Sequence, residues 1–138
     1  MSEPRVSRPL PEADGRMQPF WEAARRGVFM LQRCKRCDAR RFPAAECCSN
    51  CLASDLEWTR ASGLGVVHSF VVIHHAVDPY FASRTPYVVA DVKLAEGPHI
   101  TSTIVDSAPS EVSIGNRVEV AFEATSETIR LPVFRRAV

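Results

Sequence analysis

No apolar run in this 138-residue chain approaches the roughly 20 residues that cross a bilayer. The first residues, Met1 to Gly15, hold Pro4, Pro9, Pro11 and several charges but no hydrophobic stretch. They do not read as a secretory signal, and a loose tail over 1–15 is expected instead. With no export signal, the expected compartment is the reducing cytoplasm. Charge of one sign is also missing. A formal net charge of +1 argues against the whole chain being an electrostatic trap for nucleic acid or an anionic membrane. Catalytic motifs are scarce too. There is no Gly-x-Ser-x-Gly, phosphate loop or dinucleotide fingerprint. His74 and His75 are adjacent, so on a strand they face opposite sides, and with His68 and His99 they read as surface residues near strand ends. Asp106 and Glu111 sit in a loop with no visible partner. No acid, base or nucleophile can be assigned, so catalysis by this chain alone is not expected.

Hydrophobic residues make up 46% and charged residues 24%, enough for a packed core and against wholesale disorder. Residues 16–60 carry all five cysteines and a dense basic cluster; residues 61–138 carry no cysteine. Pro19 to Arg26 reads as a short helix, with proline in its first turn, arginines late and Gly27 as its stop. Eight residues do not hold a helix alone in water, so it must pack on its own barrel or on a partner chain. Downstream, apolar and polar residues alternate. Val88, Ala90, Val92 and Leu94 share one face, as do Val118, Val120 and Phe122. With Gly65 to His75, the stretch around Ile100 to Ile104 and a last strand Ile129 to Val133, five strands are expected. Pro132 lacks an N–H, so that last strand should be an edge or carry a bulge. Five half-polar strands suit a small closed barrel. The expected fold is mainly β: a short N-terminal helix and small ribbon over 16–60, then a five-stranded barrel over 61–138.

Cys34-Lys35-Arg36-Cys37 and Cys48-Ser49-Asn50-Cys51 are two Cys-x-x-Cys knuckles. Two residues between paired cysteines let both sulfurs reach one ion from a single tight turn. Two such pairs complete the tetrahedron that zinc prefers. Four protein ligands leave no place for water, so one structural Zn²⁺ is expected, with no chemistry of its own. Cys47 is the odd thiol; Cys47 and Cys51 have the wrong spacing for a knuckle. Arg33, Arg36, Arg40 and Arg41 belong to the basic cluster and read either as a solvated face around the thiolates or as contacts for an anion such as the phosphates of coenzyme A. Nucleic acid is disfavoured because stacking aromatics are few on the strands. Tyr80 and Phe81 stand in the long loop His74 to Pro86, and either fold back on the barrel or, with Phe20 and Trp21 of the helix, meet a partner.

The pieces occur in a specific order: Phe20-Trp21-Glu22; Leu31-Gln32-Arg33-Cys34-x-x-Cys37; Phe42-Pro43; Cys48-x-x-Cys51; Leu56-Glu57-Trp58; Gly63-x-Gly65; Pro86-Tyr87-Val88-Val89; Glu96-Gly97-Pro98; and Leu131-Pro132-Val133-Phe134-Arg135. Over roughly residues 18–136 this resembles the acyl-CoA-associated family built from an N-terminal helix, a rubredoxin-like zinc ribbon and an OB-fold barrel. The resemblance implies a non-catalytic accessory subunit in a hetero-oligomer with a thiolase-like enzyme, a thiolase or an aldolase, stabilising it and shaping its acyl-CoA site. It also implies that Cys34, Cys37, Cys48 and Cys51 are the zinc ligands. A free-standing acyl-CoA binding protein and a nucleic-acid-binding zinc-ribbon/OB module are the rival readings. One departure stands out. The family commonly has glycine after the second cysteine of each knuckle, where the backbone is left-handed, and here those positions hold Asp38 and Leu52.

Overall fold

The structure, a computed structural model, describes residues 8–137. After a single 3-10 turn at Gly15–Met17 comes helix α1, Gln18–Arg25. Its buried residues are Phe20, Ala23 and Ala24, the three- and four-residue spacing of one helical face. Gly27, at φ 77°, ends it. Its N–H reaches the Ala24 carbonyl at 2.9 Å, and the Val28 N–H reaches the Ala23 carbonyl at 2.9 Å, so two carbonyls of the last turn are satisfied.

A three-stranded antiparallel sheet follows. Strand β1 (Met30–Cys34) lies between β2 (Arg40–Arg41) and β3 (Leu56–Arg60). Then come β4 (Leu64–Ile73), a one-turn helix α2 (Pro79–Ala82), β5 (Tyr87–Leu94), β6 (His99–Val105), β7 (Arg117–Ala124) and β8 (Arg130–Arg136). The last five strands close a barrel in the order β4-β5-β6-β8-β7. All its pairings are antiparallel except β6 with β8. This is the expected mainly β architecture of helix, ribbon and closed five-stranded barrel.

The alternation read from the sequence is realised in β5, where Val88, Ala90, Val92 and Leu94 are buried and the residues between them are more exposed. Strand β4 serves two ladders, pairing β7 through Leu64–Val66 and β5 through Gly65–Ile73. Gly65 stands where the two meet; a Cβ there would lie 2.7 Å from the Lys93 carbonyl oxygen and 2.8 Å from a Val92 methyl. Only glycine permits that approach.

Pro132 belongs to a strand of the closed barrel, with no bulge in its register with β7, but on its β6 side it stands at a locally unpaired edge. Strand β8 pairs with β7 along its length, but with β6 only at Phe134 and Arg135. Beside Pro132, the Ser102 hydroxyl donates to the Pro132 carbonyl at 2.9 Å. The barrel seam is held there by a side chain, and the missing N–H forfeits no bond to β6 because that ladder does not extend to Pro132.

Helix, ribbon and barrel share one core. Phe20 is 1% exposed and packs against Trp21, Phe29, Phe42 and Trp58 at centroid distances of 5.1 to 6.4 Å, and Phe29 meets Phe134 of the barrel at 6.4 Å. Such edge and tilted ring pairs are favoured geometries. Helix α1 thus packs on its own chain. Among the described residues, no helix is long and apolar enough to cross a membrane.

Candidate metal centre and adjoining groove

Each Cys-x-x-Cys segment turns back on itself by the same pair of hydrogen bonds. The Asp38 N–H donates to the Cys34 carbonyl at 2.8 Å and the Cys34 N–H to the Ala39 carbonyl at 2.9 Å. In the second knuckle, Leu52 donates to the Cys48 carbonyl at 2.8 Å and Cys48 to the Ala53 carbonyl at 2.8 Å. To close these turns Asp38 and Leu52 take φ values of 66° and 64°. Those are the two positions where glycine is usual, so the non-glycine residues adopt the left-handed backbone instead of distorting the turn.

The two knuckles face each other. Cys34 Sγ lies 3.6 Å from Cys51 Sγ, and Cys37 Sγ lies 3.5 Å from Cys48 Sγ. All four sulfurs fall within 4.8 Å of one another. Four thiolates around a tetrahedral ion at about 2.3 Å would be separated by about 3.8 Å. The cluster therefore fits one four-coordinate metal ion with every position filled by protein.

The surroundings prepare the sulfurs for a cation. The Asn50 side-chain amide and the Ala39 N–H hold the Cys37 thiol down, to about 6. At Cys51 the Ala53 N–H also works to lower the thiol, but burial and hydrogen bonds with the three other cysteine sulfurs outweigh it and push it up to about 11. Crowded sulfurs cannot all be thiolates without a compensating charge, and a bound cation removes that restriction.

Around the cluster the arginines are largely committed. Arg33 is bound by Asp38 and, at 2.5 Å, by Glu57, which together hold its guanidinium more firmly protonated than usual. The same Arg33 contact, with Arg40 behind it, holds the Asp38 carboxyl below its ordinary range. Arg40 reaches the Asp38 carbonyl at 2.7 Å, and Arg41 binds the Cys47 carbonyl at 2.7 Å and the Ser49 hydroxyl. Three of the four arginines considered for phosphate contacts thus hold the knuckles in shape. Arg36 is exposed and has no ion-pair partner among the described residues. Cys47 is exposed and stands outside the four-sulfur cluster.

Gln32 was missed by sequence reasoning. It is 6% exposed, and its amide clasps Ala45 at both ends: Nε2 donates to the carbonyl at 3.1 Å and Oε1 accepts from the N–H at 2.9 Å. This ties the loop between the knuckles to β1. A glutamine next to a hydrophobic residue on a strand gives no sequence signal of that role.

The long loop His74 to Pro86 folds back beside the barrel. Asp78 caps α2 by accepting from the Tyr80 N–H at 2.9 Å. Tyr80 and Phe81 meet edge to face at 5.1 Å, and Phe81 lies 5.8 Å from Tyr87 of β5. Together with Trp21, Phe42, Tyr87 and Leu131, they line a groove of about 570 Å³ that runs past the β6–β8 seam. Arg8 closes one side, bound to Glu123 at 3.1 Å with its guanidinium 5.4 Å from the Phe81 ring centre. The tail expected over 1–15 is therefore tied down at Arg8, while residues 1–7 lie outside the described residues. Of the aromatics expected to meet a partner, Trp21, Tyr80 and Phe81 line this groove partly exposed. Phe20 is corrected: it is sealed in the core and offers almost no surface.

A second constellation also escaped the sequence reading. His68, Asp91 and His99, far apart in the chain, come together on β4, β5 and β6.

Comparison with known proteins agrees with this architecture. Residues 21–57 match the family described as ChsH2, rubredoxin-like zinc ribbon domain, and residues 58–123 match ChsH2, C-terminal OB-fold domain. A "DUF35 domain-containing scaffold protein" of Methanocaldococcus jannaschii is 40% identical over 96 residues, which cover 69% of this chain and 67% of that protein. A "Probable enoyl-CoA hydratase alpha subunit" of Thermomonospora curvata is 39% identical over 137 residues; the chain spans only 42% of that protein's length. Among solved structures, the "Ltp2-ChsH2(DUF35) aldolase" contains a chain 37% identical, with a TM-score of 0.82, covering 95% of this chain and 100% of that one. A DUF35 protein of unknown function from Sulfolobus solfataricus, 13% identical with a TM-score of 0.63, shares the fold over 88% of this chain and 84% of its own. The chain belongs to the DUF35 family, in the form that joins a ChsH2-type rubredoxin-like zinc ribbon to an OB-fold barrel.

Proposed function

We propose that this chain is a non-catalytic accessory subunit of a thiolase-superfamily enzyme, a thiolase or an aldolase, acting on an acyl-CoA. The observation that carries the reading is the match to the chain in the Ltp2-ChsH2 aldolase, which extends over 95% of this chain at 37% identity. The names of relatives point the same way: some are called scaffold proteins, and one is named "Probable enoyl-CoA hydratase alpha subunit". A scaffold needs a stiff frame and an apolar face. The shared aromatic core supplies the first, and the groove walled by Trp21, Tyr80 and Phe81 supplies a face of the second kind. In this reading the partner covers the groove, and the barrel helps to shape the acyl-CoA site. Arg36 is the guanidinium best placed to meet coenzyme A phosphates, because Arg33, Arg40 and Arg41 already hold the knuckles.

The metal of the four-cysteine centre is zinc, one ion per chain, held by Cys34, Cys37, Cys48 and Cys51. Its work is to fold the ribbon. The segment is short, and metal binding supplies on the order of 10 kcal/mol or more to comparable zinc-finger peptides. The expected compartment is the cytoplasm.

The test is purification of the tagged chain from its native host. A thiolase-fold subunit should co-purify in fixed stoichiometry, and Trp21→Glu together with Tyr80→Glu should release it. A chain that emerges alone, or with partners indifferent to those substitutions, refutes the reading. A free-standing carrier would instead bind acyl-CoA by itself in calorimetry.

A further inference from the structure

Three polar side chains converge on the outer face of the barrel, on elements that carry none of the four cysteines. Their meeting depends on an irregularity in β4. Its register with β5 runs Val67 opposite Val92 and then Ser69 opposite Asp91, so His68 is the extra residue of a bulge. Strict alternation would send His68 and Ser69 to opposite faces. Across the bulge both are exposed, while Val67 is buried and Phe70 packs on the core. On the neighbouring pair, Asp91 faces Thr101 and Lys93 faces His99, so Asp91 and His99 are diagonal neighbours on the same face. His99 Nδ1 lies 2.7 Å from Asp91 Oδ1. The His68 ring meets the His99 ring edge to face, with centroids 4.9 Å apart. One ligand atom from each of the three residues lies within 4.8 Å of the other two.

We propose that His68, Asp91 and His99 form a second metal site, for a borderline divalent cation such as Zn²⁺, Ni²⁺ or Co²⁺. Two imidazoles and one carboxylate are the donors these ions accept, whereas magnesium and calcium take oxygen donors almost entirely. Atoms bound to one such ion at about 2.0–2.2 Å lie roughly 3–3.5 Å apart. Rotation of side chains that are exposed or half-buried, on strands the barrel holds in fixed register, brings the wider separations in and opens the 2.7 Å Asp91–His99 contact. Lys93, opposite His99, is exposed, and its ammonium can turn to solvent. Three protein ligands leave a position for water, so this site differs in kind from the closed four-cysteine centre. It does not depend on the proposed partner.

The experiment uses the full chain carrying one equivalent of zinc, with Cys47→Ser to remove the exposed thiol, titrated with Ni²⁺ by calorimetry. One further equivalent should bind. His68→Ala, Asp91→Ala and His99→Ala should each weaken it by at least about tenfold, since losing even a group that only supports a ligand costs that much. Imidazole NMR signals of His68 and His99 should move, and those of His74 and His75 should not. No second equivalent, or binding unchanged in the His68→Ala/His99→Ala double variant, overturns the site. In the first case the trio is a hydrogen-bonded cluster only; in the second, the nickel is adventitious. Unchanged ellipticity and zinc content would show that each variant is folded.

Discussion

Leu52 shows how much a single backbone angle tells. It holds φ at 64° while 77% exposed, so it bears the cost of a left-handed backbone and gains almost no burial in return. Leu52→Gly should therefore raise stability, by up to about 1 kcal/mol after the extra freedom of glycine in the unfolded chain is counted. Thermal denaturation of the metal-loaded protein checks this, and a fall in midpoint would mean that the leucine makes contacts the knuckle needs. Gln32 is the opposite case. Gln32→Leu leaves the Ala45 N–H and carbonyl without their partners, and a loss of about 1–3 kcal/mol is expected in denaturant titration. The left-handed knuckle positions were legible in the sequence because the family it resembles commonly places glycine directly after the second cysteine of each knuckle, where Asp38 and Leu52 stand. The Gln32 clasp was not, because its partner is 13 residues away in an irregular loop. His68, Asp91 and His99 were hidden for a similar reason: a bulge leaves no mark in a run such as Val66-Val67-His68-Ser69.

At the scale of elements, the ribbon and the barrel answer to different forces. The barrel strands carry their own buried faces, and those were readable from period-two alternation. The ribbon has little apolar surface of its own beyond Leu31 and the aromatics it shares with α1. Removing the metal with a chelator should unfold the ribbon and leave the barrel strands paired. In hydrogen exchange, the amides of Cys34, Asp38, Cys48 and Leu52 should lose protection while those of β5 keep it. Acid acts in the same direction. Cys51 is pushed up to about 11, so in the metal-bound state it must give up a proton that it otherwise keeps. Metal affinity should therefore rise with pH and fall as the sulfurs protonate, and a metal-release titration from pH 8 to pH 4 measures it. Cys37, held down to about 6, contributes to that dependence only at the acid end. Helix α1 belongs to both parts. Its existence and its Gly27 stop could be read from the sequence, but the orientation of Phe20 could not, since periodicity marks an apolar face without saying what covers it. Phe20→Ala should cost about 3–5 kcal/mol and loosen the ribbon from the barrel.

At the scale of the whole molecule, the aromatic cluster around Phe20 joins helix, ribbon and barrel into one body with a groove along its flank. The order of motifs made the family legible: two cysteine knuckles stand between a Phe-Trp helix and a five-stranded barrel. The groove was not legible: it is built from Arg8, α1, α2 and the β6–β8 seam, segments that come together only through the tertiary fold. A stiff body with a closed metal centre and a partly exposed aromatic groove suits support of another protein's active site. The most direct test is reconstitution. The thiolase-superfamily subunit that co-purifies would be assayed for acyl-CoA turnover with and without this chain. Turnover and thermal stability should both fall when the chain is withheld and return when it is added, with Trp21→Glu/Tyr80→Glu failing to restore them. Equal turnover and stability in its presence and absence would contradict the accessory role.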